Sequence, residues 1–62
     1  MKQFIELTDE KYGPISININ FICSAETHKD GCKINVSANN NLIVYITKES
    51  YEKVTELLSK SK

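Results

Sequence analysis

Arginine is absent from this chain, glycine occurs only at positions 13 and 31, and histidine only at 28. Each shortage closes a class of function. Without a guanidinium fork to read guanine edges or clamp phosphate at two points, sequence-specific DNA recognition is not expected. Gly13 and Gly31 belong to separate turns, so no glycine-rich phosphate cradle exists. Nucleophilic catalysis needs a base held by a third group. His28 has only Asp30 nearby, and that carboxylate is in demand for the turn's own backbone hydrogen bonds. No enzyme and no cofactor are expected. Long apolar runs are missing too, and none approaches the ~18 residues of a membrane span. Glu6 and Asp9 interrupt the start before any signal-peptide length is reached, so a cytoplasmic chain with no membrane partner and reduced cysteines is expected.

What is present is a 62-residue chain with eight Lys, six Glu and two Asp, for a formal net charge of zero. That balance is not the signature of a polyanion binder, and the abundance of Ile, Asn and Lys is consistent with drift in an AT-rich genome. Residues 1–62 are expected to form one domain. A domain so short buries only about 60% of the surface its unfolded chain exposes, and reinforcement by a metal, disulfides or oligomerisation is common at this size.

Apolar residues in the first two-thirds recur with period two, the spacing of a pleated strand. Residues 2–7 and 15–21 read as strands separated by polar residues, Gly13 and Pro14. Residues 22–26 read as a short strand or an extension of the one before, since Asn18 and Asn20 invite a bend. Thr27 to Gly31 is a turn in which Asp-Gly supplies the pair that tolerates positive φ. Strands at 32–37 and 42–46 flank a turn at Asn39-Asn40-Asn41. The period then lengthens, with Tyr51, Val54, Leu57 and Leu58 on one face of a helix over about 48–60. Thr47 is its expected N-cap, Glu49 complements the dipole, and Glu49–Lys53 and Glu56–Lys60 are spaced as i,i+4 pairs. The fold class is therefore α+β: a small curved antiparallel sheet of four to five strands, as a meander or open barrel, followed by one C-terminal amphipathic helix.

Cys23, His28 and Cys32 have the chemistry of zinc ligands in a C-x4-H-x3-C spacing, but a structural site takes four ligands, and only Glu26 or Asp30 offers a fourth. The alternative is two small hydrophobes and a turn histidine, and no metal is expected. If Glu26 faces Cys32, then Cys23 faces Asn35 and no disulfide forms; a bulge that shifts the pairing by one residue does not close the gap. Of the five aromatic rings, Phe21 shares a face with Ile19 and Tyr51 lies on the helix's apolar stripe, so both are expected in the core; Phe4 alternates against Ile5 and Leu7, and Tyr12 and Tyr45 are left for the surface. Two rings make a poor platform for single-stranded nucleic acid, which stays the alternative reading.

Apolar residues exceed what one helix can cover. Leu42, Val44 and Ile46 alternate with Ile43 and Tyr45, so both faces of the last strand are apolar, and Phe4 and Ile22 oppose the main apolar set of their own strands. A helix of about 12 residues spans ~18 Å and covers one face. Either the sheet curls to hide the second set or another chain covers it. Phe4, Ile22, Ile43 and Tyr45 are the interface candidates, and a homodimer that also binds an unknown protein is expected.

The N-terminal strand, Gly13-Pro14-Ile15-Ser16-Ile17-Asn18 with an apolar pair after it, and the closing Val44-Tyr45-Ile46-Thr47-Lys48-Glu49-Ser50-Tyr51-Glu52-Lys53-Val54 resemble the small FlbD-like proteins of flagellar operons. Similar short proteins occur in bacterial mobile elements and phages. The final strand leading into a Lys-Glu-Ser helix start is also similar to that of LytTR-type DNA-binding domains, which are longer and carry basic residues this chain lacks. The resemblance implies a non-catalytic accessory factor of bacterial, phage or mobile-element origin. It assigns no site residue.

Overall fold

A computed structural model describes residues 3–60. Five antiparallel strands precede one helix: β1 (Phe4–Asp9), β2 (Gly13–Asn18), β3 (Ile22–His28), β4 (Gly31–Ala38), β5 (Asn41–Thr47) and α1 (Tyr51–Lys60), with a 3-10 turn at Ile19–Phe21. The strand order is β2-β1-β5-β4-β3. The α+β class and the strands-then-helix order follow the sequence pattern. Lys2, expected in the first strand, lies outside the described residues.

Local chemistry sets most boundaries. The Asn18 side chain accepts a hydrogen bond from the Asn20 N–H at 2.9 Å, which closes the 3-10 turn and ends the strand that periodicity alone carries to Phe21. Asn39 and Asn40 both take positive φ, 53° and 64°, the geometry of a two-residue hairpin turn matched to strand twist. At the preceding hairpin Lys29, not Gly31, has positive φ. Gly31 serves another purpose: a Cβ there would enter the van der Waals envelope of the Thr47 carbonyl oxygen, with the carbonyl carbon at 3.2 Å. Glycine is needed for close backbone approach, not for turn geometry.

The helix starts later than its periodicity suggests. Ser50, not Thr47, is the cap, its hydroxyl accepting from the Lys53 N–H at 3.2 Å while its carbonyl accepts from the Val54 N–H at 3.0 Å. Thr47 ends β5, fully buried, because its hydroxyl is drawn to the carbonyls of Cys32 and Glu49. Glu49 therefore lies outside the helix and does not pair with Lys53. Glu56 instead meets both Lys53 at 3.7 Å and Lys60 at 3.6 Å, in exposed pairs that contribute little.

The core is Ile5, Leu7, Ile17, Cys32, Ile34, Val36 and Val54, with Ile15, Ile19, Ile22, Ala25, Tyr45, Leu57 and Leu58 packed against it. α1 lies on β3 and β4, inserting Val54. Tyr51 and Phe21, both expected in the core, are exposed. Tyr51 is the first helical residue, one turn short of the sheet contact made by Val54, and Phe21 leaves the strand alternation at the 3-10 turn. No helix among the described residues is long and apolar enough to cross a membrane.

β1 and β5 meet at a single pair, Asp9↔Thr47. This one-pair junction is the corner at which β1 joins the rest of the sheet, and polar groups hold it. Buried Asp9, 3% exposed, accepts from the N–H groups of Lys11 (2.9 Å) and Tyr12 (2.8 Å) with one oxygen and from the Ile46 N–H (3.1 Å) with the other. The half-buried Glu49 carboxylate accepts from the Thr8 N–H at 2.8 Å and the Thr8 hydroxyl at 3.0 Å. Burial by itself pushes Glu49 up, but the Thr8 hydrogen bonds, one from its own backbone N–H and the charge of Lys48 outweigh it and leave the pKa below the usual carboxylate value. A carboxylate depressed on folding stabilises the fold fully above its unfolded pKa of about 4.3, and that contribution disappears as pH falls through the lower folded value. Replacing Glu49 by Gln is therefore expected to flatten the acid side of the stability profile. At pH 7 the cost should be about 1–2 kcal/mol, reduced by solvent screening. Urea titrations of both proteins between about pH 3 and 7 check this; parallel pH profiles would mean the Thr8–Glu49 contact carries no charge-dependent stability.

Candidate functional site

The three sulfur and imidazole side chains do not converge. Cys23 is the extra residue of a bulge in β3, between the pairs Ile22↔Val36 and Ser24↔Asn35, and is exposed. His28 stands at the far end of the same strand, five residues or about 16 Å away. Cys32 is fully buried on the core face of β4, opposite Thr27 instead of Glu26, and both cysteines are free thiols. Burial pushes the Cys32 thiol above its ordinary value, which makes it a poor nucleophile. Among the described residues no three His, Cys, Asp or Glu side chains are placed to share a metal ion.

Register decides which apolar residues face outward. β4 and β5 join through the two-residue turn flanked by Ala38↔Asn41, and counting from that pair sets Val36 opposite Ile43, Ile34 opposite Tyr45 and Cys32 opposite Thr47. Directly paired residues share a face of a sheet. Val36, Ile34 and Cys32 are core residues, so Ile43 and Tyr45 belong to the core face and Tyr45 packs there. The outward set is Leu42, Val44 and Ile46. Of the other two interface candidates, Ile22 packs against the core opposite Val36, while Phe4 is exposed on the outer face of β1.

β5 is unusual in that Asn41, Leu42, Ile43 and Val44 are all exposed in succession. Leu42 is 66% exposed, Val44 46% and Ile43 39%. A strand with neighbours on both sides and one face on a core shows alternation; four exposed residues in a row mark a strand overhanging its sheet. The overhang follows from the corner. In the antiparallel count from Asp9↔Thr47, β1 runs on past the end of β5 towards Glu49, and the chain leaves β1 at the Glu10-Lys11-Tyr12 turn, so the first half of β5 has β4 on one side only. A shallow depression remains, lined by Asp9, Glu10, Lys11, Tyr12, Val44 and Ile46. Exposed Tyr12 forms its rim with the Lys11 ammonium 5.4 Å from the ring centre.

No family model, curated protein or solved structure matches the chain. Farther across the same outer face the sheet is polar: the Asn35 amide donates to the Ser24 hydroxyl at 2.8 Å and to the Glu26 carboxylate at 3.5 Å, and Glu26 stands opposite Lys33. The exposed apolar residues of the outer face are thus Leu42 and Val44 on β5 and Phe4 on β1, with Tyr12 at the rim of the depression.

Proposed function

We propose that this chain is a non-catalytic interaction module that self-associates and holds a protein partner through its sheet. One observation carries the reading: Leu42, Ile43 and Val44 are exposed in succession on a strand, and exposed large apolar residues grouped in this way are the usual mark of a surface that another chain covers. The accessory role and the bacterial, phage or mobile-element origin rest on the resemblance to FlbD-like proteins, and the cytoplasmic setting on the sequence arguments above.

Sedimentation equilibrium at tens of micromolar tests the reading. The wild-type mass should rise with concentration towards a dimer and change little with salt, because apolar burial is not screened. Leu42→Glu, at a largely exposed position, should cost the fold no more than about 0.5 kcal/mol while holding the protein monomeric. A wild-type protein that stays monomeric throughout would defeat the proposal.

Single-stranded nucleic acid is the second reading, favoured by the exposure of four rings, Phe4, Tyr12, Phe21 and Tyr51. They belong to four separate segments, and the net charge of zero offers no general attraction for phosphate. Oligonucleotide binding that falls steeply with added salt would put this reading first.

A further inference from the structure

The overhanging half of β5 also exposes backbone, and its hydrogen-bonding parity determines what can pair with it. The Ile46 N–H donates to Asp9 and the Ile46 carbonyl accepts from the Glu10 N–H at 2.8 Å, so both groups of Ile46 point away from β4. In an antiparallel strand this direction alternates from residue to residue. The N–H and C=O groups of Leu42 and Val44 therefore point the same way, past the end of β1, and no strand among the described residues pairs with them there.

We infer that the occupant of this edge is β5 of a second copy, paired antiparallel about a two-fold axis at Ile43; the inference rests on the self-association proposed above. Two like strands can pair in only a few registers. Placing Val44 on the axis would set Leu42 against the second copy's Ile46, whose groups are already held by Asp9 and Glu10. Placing Ile43 on the axis sets Leu42 against the second copy's Val44, twice over. Four free donors then meet four free acceptors, and the two Leu–Val pairs close over each other on the outer face. The segment Asn41–Ile46 contains no charged residue, so like meets like without repulsion.

The other edges are not equally available. Natural sheets blunt exposed edges with proline, bulges or charge. β2 carries Pro14, which lacks a donor, and β3 carries the bulge at Cys23 together with Glu26. The free half of β5 carries none of these.

Three variants test the register. The Val44 N–H is not used by the β4–β5 ladder, so Val44→Pro should leave the fold in place while deleting two symmetry-related hydrogen bonds and obstructing the edge. Dimerisation should weaken by at least about tenfold. Ile43→Cys in a Cys23→Ser background should form an intermolecular disulfide on mild oxidation, since a non-hydrogen-bonded antiparallel pair brings the two Cα atoms to about 4.5 Å. Leu42→Cys in the same background should cross-link at least about tenfold more slowly, its two copies being offset along the strand. Should Val44→Pro fail to fold, the cysteine pair decides. A dimer in which Ile43→Cys does not cross-link faster than Leu42→Cys overturns this register and leaves self-association standing. A wild-type monomer overturns both.

Discussion

Replacing Gly31 by Ala is expected to unfold the protein or bring it to the edge of unfolding. The added methyl group would collide with the Thr47 carbonyl, which is backbone and cannot rotate aside. Thr47 is itself immobilised: fully buried, paired with both Cys32 and Asp9, and followed at once by the segment that Thr8 and Glu49 tie together. Relief would require β4 and β5 to separate beside the one pair that joins β5 to β1. Overpacking usually costs about 1–3 kcal/mol, and a clash that only backbone movement can relieve belongs at or above the top of that range. A chain of 62 residues has a total stability of about 3–9 kcal/mol on the usual per-residue scale. Thermal melting followed by far-UV circular dichroism should show the transition lost or lowered by more than about 10 °C. A melt within a few degrees of wild type would mean that the strands do not approach this closely.

Removal of the Asp9 carboxylate is the other large effect. Its two oxygens serve two separate structures: one closes the β1–β2 turn through Lys11 and Tyr12, the other holds Ile46 of β5. Asp9→Ala leaves three backbone donors without this partner. The two turn donors can turn to water, whereas the Ile46 N–H lies at the corner, so the expected cost is about 2–4 kcal/mol. Asp9→Asn is the sharper comparison. An amide has a single accepting oxygen, and its NH2 group must face one of the two donor sets. A loss of about 1–3 kcal/mol is expected despite the nearly identical shape. Denaturant titration of the three proteins checks the order wild type, Asn, Ala, and an Asn variant as stable as wild type would show that only one carboxylate oxygen is used.

These two positions also locate the limit of what local pattern reveals. Alternation at Ile5 and Leu7, at Ile15 and Ile17, and at Cys32, Ile34 and Val36 marks strands and their buried faces, because a two-residue period is written into consecutive side chains. Val54, Leu57 and Leu58 mark the helix in the same way. Even the orientation of β5 could be read in advance. Once Asn39-Asn40 is recognised as a two-residue turn, counting back from Ala38↔Asn41 sets Ile43 and Tyr45 beside Val36 and Ile34 on the core face, and leaves Leu42 and Val44 outside. Treating Asn41 as a third turn residue is what hides that count.

The corner itself is different. The Thr8–Glu49 and Asp9–Ile46 contacts join residues 41 and 37 positions apart. Nothing in the immediate neighbourhood of any of the four residues distinguishes a partner from an ordinary surface or turn polar group. Thr47 and Glu49 have the local chemistry of a helix start, and only the arrival of β1 and β4 beside them draws the threonine into a sheet and the glutamate onto Thr8.

By itself, then, the amino-acid sequence determined the strands-then-helix order and the inward residues of β1, β2 and β4, all of which follow from interactions between near neighbours in the chain. Tertiary structure alone decided where β1 stops against β5. That junction depends on long-range pairing and on carboxylates seeking backbone donors, and its restriction to one residue pair is what leaves Leu42 and Val44 with a free edge.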